Sequence, residues 1–99
     1  MDEIDKTQAQ IRGLIKARDH LLNEVPSDMV AIAEITERII DLNRRLAALV
    51  DAGATVPELT PGQVQALQQA VGALERAIQQ SQAASQILIA ATQLANAAA

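Results

Sequence analysis

Residues 51–63 read DAGATVPELTPGQ, and this stretch separates the last long helical segment from the rest of the chain. Gly53 suits the position that follows a helix end, and Pro57 prevents a helix from continuing. Thr60 and Gln63 form the pattern of a capping box, with Pro61 at the first helical position. The stretch therefore predicts that one helix ends near residue 52 and that another begins at residue 61.

A second break lies at residues 25–28. Pro26 pushes Val25 out of the helical region, Ser27 is a typical N-cap, and Asp28 suits the positive end of the next helix. Elsewhere apolar residues recur at helical spacing, and no stretch alternates for long enough to be a strand. We therefore expect one all-α domain over residues 1–99, a three-helix antiparallel up-down bundle with helices at about 3–24, 28–52 and 61–96.

Each predicted helix carries an apolar stripe that identifies its expected core face. On the first helix the stripe is Ile4, Ile11, Leu14, Ile15, Leu21, Leu22 and Val25. On the second it is Ile32, Ile35, Ile39, Leu42, Leu46, Leu49 and Val50. The third keeps a heptad that turns polar and small in its second half: Val64, Leu67, Val71, Leu74, Ile78, Ser81 and Ser85.

The third helix is expected to be longer than its neighbours. Short connections make consecutive helices antiparallel, so residues 85–99 would project about 22 Å past the turn at Pro26. A projecting segment with several large aliphatic side chains needs a partner. We therefore expect residues 85–99 to be an oligomerisation or docking segment that joins copies in a homodimer, or a tetramer, or binds another helical protein. The expected interface residues are Ala84, Ile87, Leu88, Ala91, Leu94, Ala95 and Ala98.

The composition excludes several function classes. The chain has 99 residues, of which 49% are hydrophobic, and it contains no aromatic residue and no cysteine. A disulfide framework, a thiolate nucleophile, a cysteine metal site and an aromatic stacking platform are therefore excluded. The net charge of −4 has the wrong sign for a general nucleic-acid binder.

Neither a secretory signal nor a membrane span is expected. The first residues are acidic and no apolar segment follows them. The most apolar stretch, residues 87–99, is 13 residues long, whereas a transmembrane helix needs about 20. These features favour a cytoplasmic protein.

Candidate catalytic residues are polar side chains placed within the apolar stripes: Arg18, Thr36, Asn43, Ser81 and Ser85. Their positions put them in different layers of the expected bundle, and Arg18, level with Glu34, is expected to pair with it. His20 and Glu24 could supply two metal ligands from one helix face, but the chain has no further histidine. We therefore predict no catalytic residue, no cofactor and no metal. The leading hypothesis is a small structural or interaction protein, of the kind found among bacterial accessory components.

Two alternatives remain. Residues 34–49, EITERIIDLNRRLAAL, resemble the opening helix of the all-helical chorismate mutases. That resemblance implies a small dimeric enzyme with an inter-subunit anion pocket, lined here by Arg18, Arg44 or Arg45. In this chain the segment lies on the second helix, and residues 46–75 contain no lysine or arginine. The other alternative is an amphipathic coat protein of a lipid or polymer surface, which the 12 Ala and 9 Gln of residues 61–99 favour.

Overall fold

The computed structural model of the chain describes residues 1–52 and 55–98. This part of the chain forms four α-helices: α1 (Glu3–Leu22), α2 (Met29–Asp51), α3 (Pro61–Gln79) and α4 (Ala84–Asn96). The all-α prediction is confirmed. The prediction of three helices is wrong, because the expected third helix is divided into α3 and α4. Gly53, expected just after the second helix, lies outside the described residues.

The helix starts follow local capping chemistry. The capping box predicted at Thr60 and Gln63 is confirmed, since the two residues bond reciprocally through their side chains and backbone N–H groups. The start of α2 differs from the prediction by one residue. Asp28, rather than Ser27, accepts the capping hydrogen bond, from the N–H of Ala31 at 3.0 Å. Ser27 instead donates its hydroxyl to a carbonyl just after α1.

α3 ends in a Schellman motif that the sequence analysis did not predict. Ser81 has φ of +49°, in the left-handed region. Its N–H donates to the carbonyl of Ile78 at 3.0 Å, and the N–H of Gln82 donates to that of Ala77 at 3.1 Å. This pair of bonds closes the helix end and turns the chain. The motif usually contains glycine at the left-handed position, and serine there gave no signal in the sequence.

The reversal folds α4 back onto the chain, antiparallel to α1. The side-chain amide of Gln10, near the start of α1, donates to the carbonyl of Leu94 at 3.0 Å, near the end of α4. Ile87, Ala91 and Leu94 are 0% exposed. Residues 84–96 therefore lie in the core of their own chain and do not project, because a reversal at Ser81 buries their aliphatic side chains without a second molecule.

The four helices form a flat bundle measuring 45 × 25 × 15 Å. α1 and α4 are its central pair, with α2 and α3 on either side, and within the described residues α2 does not contact α3. Hydrogen bonds from Leu59 to Met1 and from Glu3 to Pro57, at 2.9 and 3.1 Å, hold the start of α3 beside the start of α1. The chain thus runs up, down, up and down.

The core lies where α1 and α4 meet the two flanking helices. Its largest fully buried apolar side chains are Leu14, Leu21, Ile35, Leu67, Leu74, Ile87 and Leu94. Among the described residues, no helix combines the length and the apolar character that crossing a membrane requires.

Candidate protein-binding face

The residues predicted to form an interface through the last segment are largely covered by the chain itself. Ile87, Ala91 and Leu94 are fully buried. The other four are partly buried against the core: Ala84, Leu88, Ala95 and Ala98. Their assignment to an interface between copies stays a prediction, but the projecting helix on which it depended is absent from the described structure. The exposed apolar surface of the chain lies on other helices.

The arginines considered for an anion pocket do not converge in this chain. Arg45 lies beside Glu3 at the start of α1, with Nη2 3.3 Å from Oε2. Arg18 lies some 15 residues further along α1, which is about 22 Å at the helical rise. The ion pair that the structure gives Arg18 is with Asp19, at 3.9 Å, and not the expected one with Glu34. The pocket implied by the chorismate mutase resemblance is therefore not assembled within one chain.

His20 and Glu24 come together as their spacing suggested. His20 Nε2 lies 3.1 Å from Glu24 Oε1, although the two groups are not aligned for a hydrogen bond. The His20 side chain is 23% exposed. Across residues 1–52 and 55–98, no group of three or more potential metal-ligating side chains lies together. The pair is a local contact at the end of α1.

Gln10 belongs to a buried polar cluster that the sequence analysis missed. The residue is 2% exposed. Its amide nitrogen donates to the carbonyls of Leu94, Ala95 and Ala97 at 3.0, 3.2 and 3.3 Å. Leu94 and Ala95 lie in the last turn of α4 and Ala97 is its C-cap, where carbonyls lack the helical partners of the interior. Gln10 therefore caps the C-terminal end of α4 from a neighbouring helix.

Lys6 extends the same cluster and is 1% exposed. Its ammonium group donates to the carbonyl of Ala98 at 3.3 Å and lies 2.9 Å from the carboxylate of Glu3. Thr7, also buried, donates its hydroxyl to the carbonyl of Glu3 at 2.8 Å. Lys6 and Gln10 join α1 to the end of α4, whereas Thr7 bonds within α1, so the cluster has a structural role.

The position of this cluster shows that α1 carries two stripes, about 100° apart. The inner stripe faces the core and consists of Thr7, Gln10, Leu14, Ala17 and Leu21. The outer stripe is one residue further along and consists of Ile4, Ile11, Ile15 and Leu22. The predicted stripe mixed the two because the isoleucines of the outer stripe are more apolar than Thr7 and Gln10. The first three outer residues are partly buried, Ile11 and Ile15 of them against the edge of the core, and Leu22 is 49% exposed.

α2 is divided in the same way. Its inner stripe faces the core and consists of Ala31, Ile32, Ile35, Ile39 and Leu42. Its outer stripe is again one residue further along and consists of Met29, Ala33, Thr36, Ile40, Asn43 and Ala47. Met29 is 64% exposed and Ile40 is 46% exposed. An uncharged stripe that the chain leaves open thus runs along α2.

The outer stripes of α1 and α2 lie on the side of the hairpin away from α4. On α2, Arg38, Asp41, Leu42 and Arg45 line a small cavity together with Ala95 and Asn96 of α4. At 100° per residue these positions lie about 100–160° around α2 from Ile40. On α1, Gln10 and Gly13 lie against Leu94 of α4. They are about 100° and 160° around the helix from Ile11. We call the combined outer stripes of α1 and α2 the outer face.

Charge is nearly excluded from the outer face. Between Met29 and Val50, α2 contains six charged residues, none of them on its outer stripe: Glu34, Glu37, Arg38, Asp41, Arg44 and Arg45. Glu37 and Arg44 border the stripe. On α1, Arg18 is the one charged residue at a comparable angle, and its side chain is 30% exposed. The face is therefore apolar at its centre and charged at its edge, which is the pattern of a protein-binding surface.

A groove between α1 and α3 is the main competing site. Its cavity of about 220 Å³ is lined by apolar residues of both helices together with Arg12, Lys16 and Glu75. Lys16 Nζ lies 3.7 Å from Glu75 Oε1, so the acidic group offsets one of the two cations. Both members of this pair are at least half exposed. The groove lacks the buried, converging polar groups of a ligand site.

No protein-family model matches the chain, and neither the curated proteins nor the solved structures contain a significant match to it.

Proposed function

We propose that this protein is a non-catalytic helical interaction module that binds one helix of a partner along its outer face. The observation that supports the proposal is the outer stripe of α2, which is exposed, uncharged and more than four helical turns long. Its partner would lie in the shallow groove between α1 and α2, as amphipathic helices do in helix-in-groove recognition. We place this binding in the cytoplasm, since a chain without cysteine needs no oxidising compartment.

The exposed side chains are large enough to stabilise such a complex. Full burial of a large aliphatic side chain contributes about 1.5–3 kcal/mol. Leu22, Met29 and Ile40 are 49%, 64% and 46% exposed, so covering each one contributes on the order of 1 kcal/mol. Ala33 and Ala47 lie on either side of Ile40 and allow the backbone of the partner helix to approach closely.

The test compares two isoleucines of similar exposure on opposite sides of the molecule. Ile40 is 46% exposed on the outer face, and Ile89 is 50% exposed on α4. We expect Ile40→Asp to weaken binding at least 30-fold, because an aspartate would lose its hydration beneath the partner helix. We expect Ile89→Asp to leave binding unchanged. Binding is measured by light scattering behind size exclusion, and by affinity capture with quantification of the captured proteins.

Equal effects of the two substitutions on every association would contradict the proposal. Flotation with neutral and anionic lipid vesicles separates it from the surface-coat alternative. The proposal would be overturned if the chain floated with vesicles, Ile40→Asp did not, and no association with a protein were found. The outer face would then bind a membrane surface. Circular dichroism of both variants controls for unfolding.

A further inference from the structure

We propose that the helix bound by the outer face is α2 of a second copy of this chain, running antiparallel about a two-fold axis at Ile40. This inference rests on the proposed function, and it names the partner. It is based on the order of residues along α2 and on the charges beside its outer stripe.

The outer stripe of α2 has the spacing of a helix–helix contact. With Val50, which is 58% exposed at the end of α2, its residues lie alternately four and three positions apart. They are Met29, Ala33, Thr36, Ile40, Asn43, Ala47 and Val50. This spacing keeps one line of side chains against a single neighbouring helix. The inner stripe has the same spacing and is occupied by the chain's own core, so the outer stripe is the one left for another molecule.

The outer stripe has nearly the same order of side chains in both directions. From Ile40 outward, each half contains a polar residue, then alanine, then a large apolar residue. A two-fold axis at Ile40 therefore brings together side chains of similar size from the two copies. Ala33 meets Ala47 of the second copy, which allows close approach at two symmetric points. Thr36 meets Asn43 of the second copy, and the hydroxyl oxygen can accept a hydrogen bond from the amide.

The charges that border the stripe are complementary in the same arrangement. Glu37 lies three residues before Ile40, and Arg44 lies four residues after it. An antiparallel pair brings Glu37 of each copy to Arg44 of the other, giving two symmetric ion pairs. Arg44 is available for this contact, because its side chain is 79% exposed and its contact with Asp41 is at 3.9 Å. In a parallel pair, Glu37 and Arg44 would be about 10 Å apart along the axis.

A charge exchange tests the pairing. Glu37→Arg or Arg44→Glu alone converts two attractions into two repulsions, and we expect each to weaken dimerisation about tenfold. The double variant Glu37→Arg/Arg44→Glu restores opposite charges, and we expect its dimer affinity to return to within about threefold of the original. The dimer dissociation constant is measured by sedimentation at low salt. The proposal would be overturned if the double variant lost as much dimerisation free energy as the two single variants combined. It would also be overturned if the unmodified chain stayed monomeric.

A disulfide tests the position of the axis, and it is selective because the chain has no natural cysteine. Under mild oxidation we expect Ile40→Cys to form a covalent dimer, because residue 40 lies on the axis beside its own copy. Ala33→Cys is the control on the same stripe, since an antiparallel pair separates its two copies by about 21 Å. Cross-linking of both variants would indicate a parallel pair. Cross-linking of neither, or of Ala33→Cys alone, would also contradict the proposed axis.

These results can be separated from a failure of the proposed function. Suppose that the chain is monomeric but binds another protein, and that Ile40→Asp abolishes this binding whereas Ile89→Asp does not. The second copy is then excluded as the partner, and the outer face remains a docking surface. If Ile40→Asp and Ile89→Asp behave alike in every association, both proposals fail.

Discussion

At the scale of single residues, Gly13 shows why a helix can contain glycine, which favours helices less than any residue except proline. Glycine within a helix costs about 1 kcal/mol relative to alanine. A Cβ atom at Gly13 would collide with Cδ2 of Leu94, which is fully buried. The absence of a side chain at this position therefore allows α4 to approach α1 closely.

We predict that Gly13→Ala lowers the free energy of unfolding by about 1–2 kcal/mol, because overpacking outweighs the gain in helix propensity. Gly72→Ala in α3 is the matched control. Its Cβ would meet only the flexible tip of Arg76, at 3.4 Å, so we expect a gain of up to about 1 kcal/mol. Urea denaturation measures both values. Stabilisation by both substitutions would show that α4 does not pack against Gly13.

At the scale of elements, the end of α3 determines the topology. The heptad of the predicted third helix continues through residue 81, and alanine and glutamine favour a helix there. The chain nevertheless reverses at Ser81, with hydrogen bonds that satisfy the last carbonyls of α3. The left-handed conformation costs a serine about 1 kcal/mol or more. Burial of α4 compensates for this local cost.

We predict that Ser81→Gly raises the free energy of unfolding by about 0.5–1 kcal/mol, because glycine adopts positive φ without strain. Ser85→Gly, at the second residue of α4, serves as the control. It should lower stability by up to about 0.5 kcal/mol. Thermal and urea unfolding measure the sign of the change in unfolding free energy for each variant. A destabilising Ser81→Gly would indicate that residue 81 is helical, as in one continuous helix.

At the scale of the whole molecule, α4 joins the hairpin of α1 and α2 to α3. It packs against α1, α2 and α3, whereas α2 and α3 do not contact each other within the described residues. The side chains that join them are those first expected to project: Ile87, Ala91 and Leu94. α4 therefore shares with α1 the role of connecting α2 to α3.

We predict that Ile87→Ala lowers the free energy of unfolding by about 2–5 kcal/mol, because it leaves a cavity at a fully buried position. Ile89→Ala is the control two residues away, at a half-exposed position, and should cost less than about 1 kcal/mol. The measurement is made at a concentration where the chain is monomeric. Equally small losses in the two variants would support a projecting last segment.

The same scale shows how much of the binding face the sequence could predict. On α2 the predicted core stripe is confirmed for Ile32, Ile35, Ile39 and Leu42, which are buried. On α1 two stripes lie one residue apart, and the prediction mixed them. The isoleucines at 4, 11 and 15 were assigned to the core on hydrophobicity, yet Lys6, Thr7 and Gln10 are the residues buried beside α4. The ammonium of Lys6 and the amide nitrogen of Gln10 donate to carbonyls at and just after the end of α4, and a local pattern cannot reveal these partners.

The sequence by itself determined the helical class, the break near Pro26 and the capped start of α3, because capping, proline geometry and apolar periodicity act within a few residues of each other. Only the tertiary structure decided that the last segment reverses and fills the core. That choice balances a strained residue at Ser81 against the burial of Ile87 and Leu94, which lie far along the chain from their partners on α1. By occupying one side of the α1–α2 hairpin, α4 also determined which stripe became the outer face.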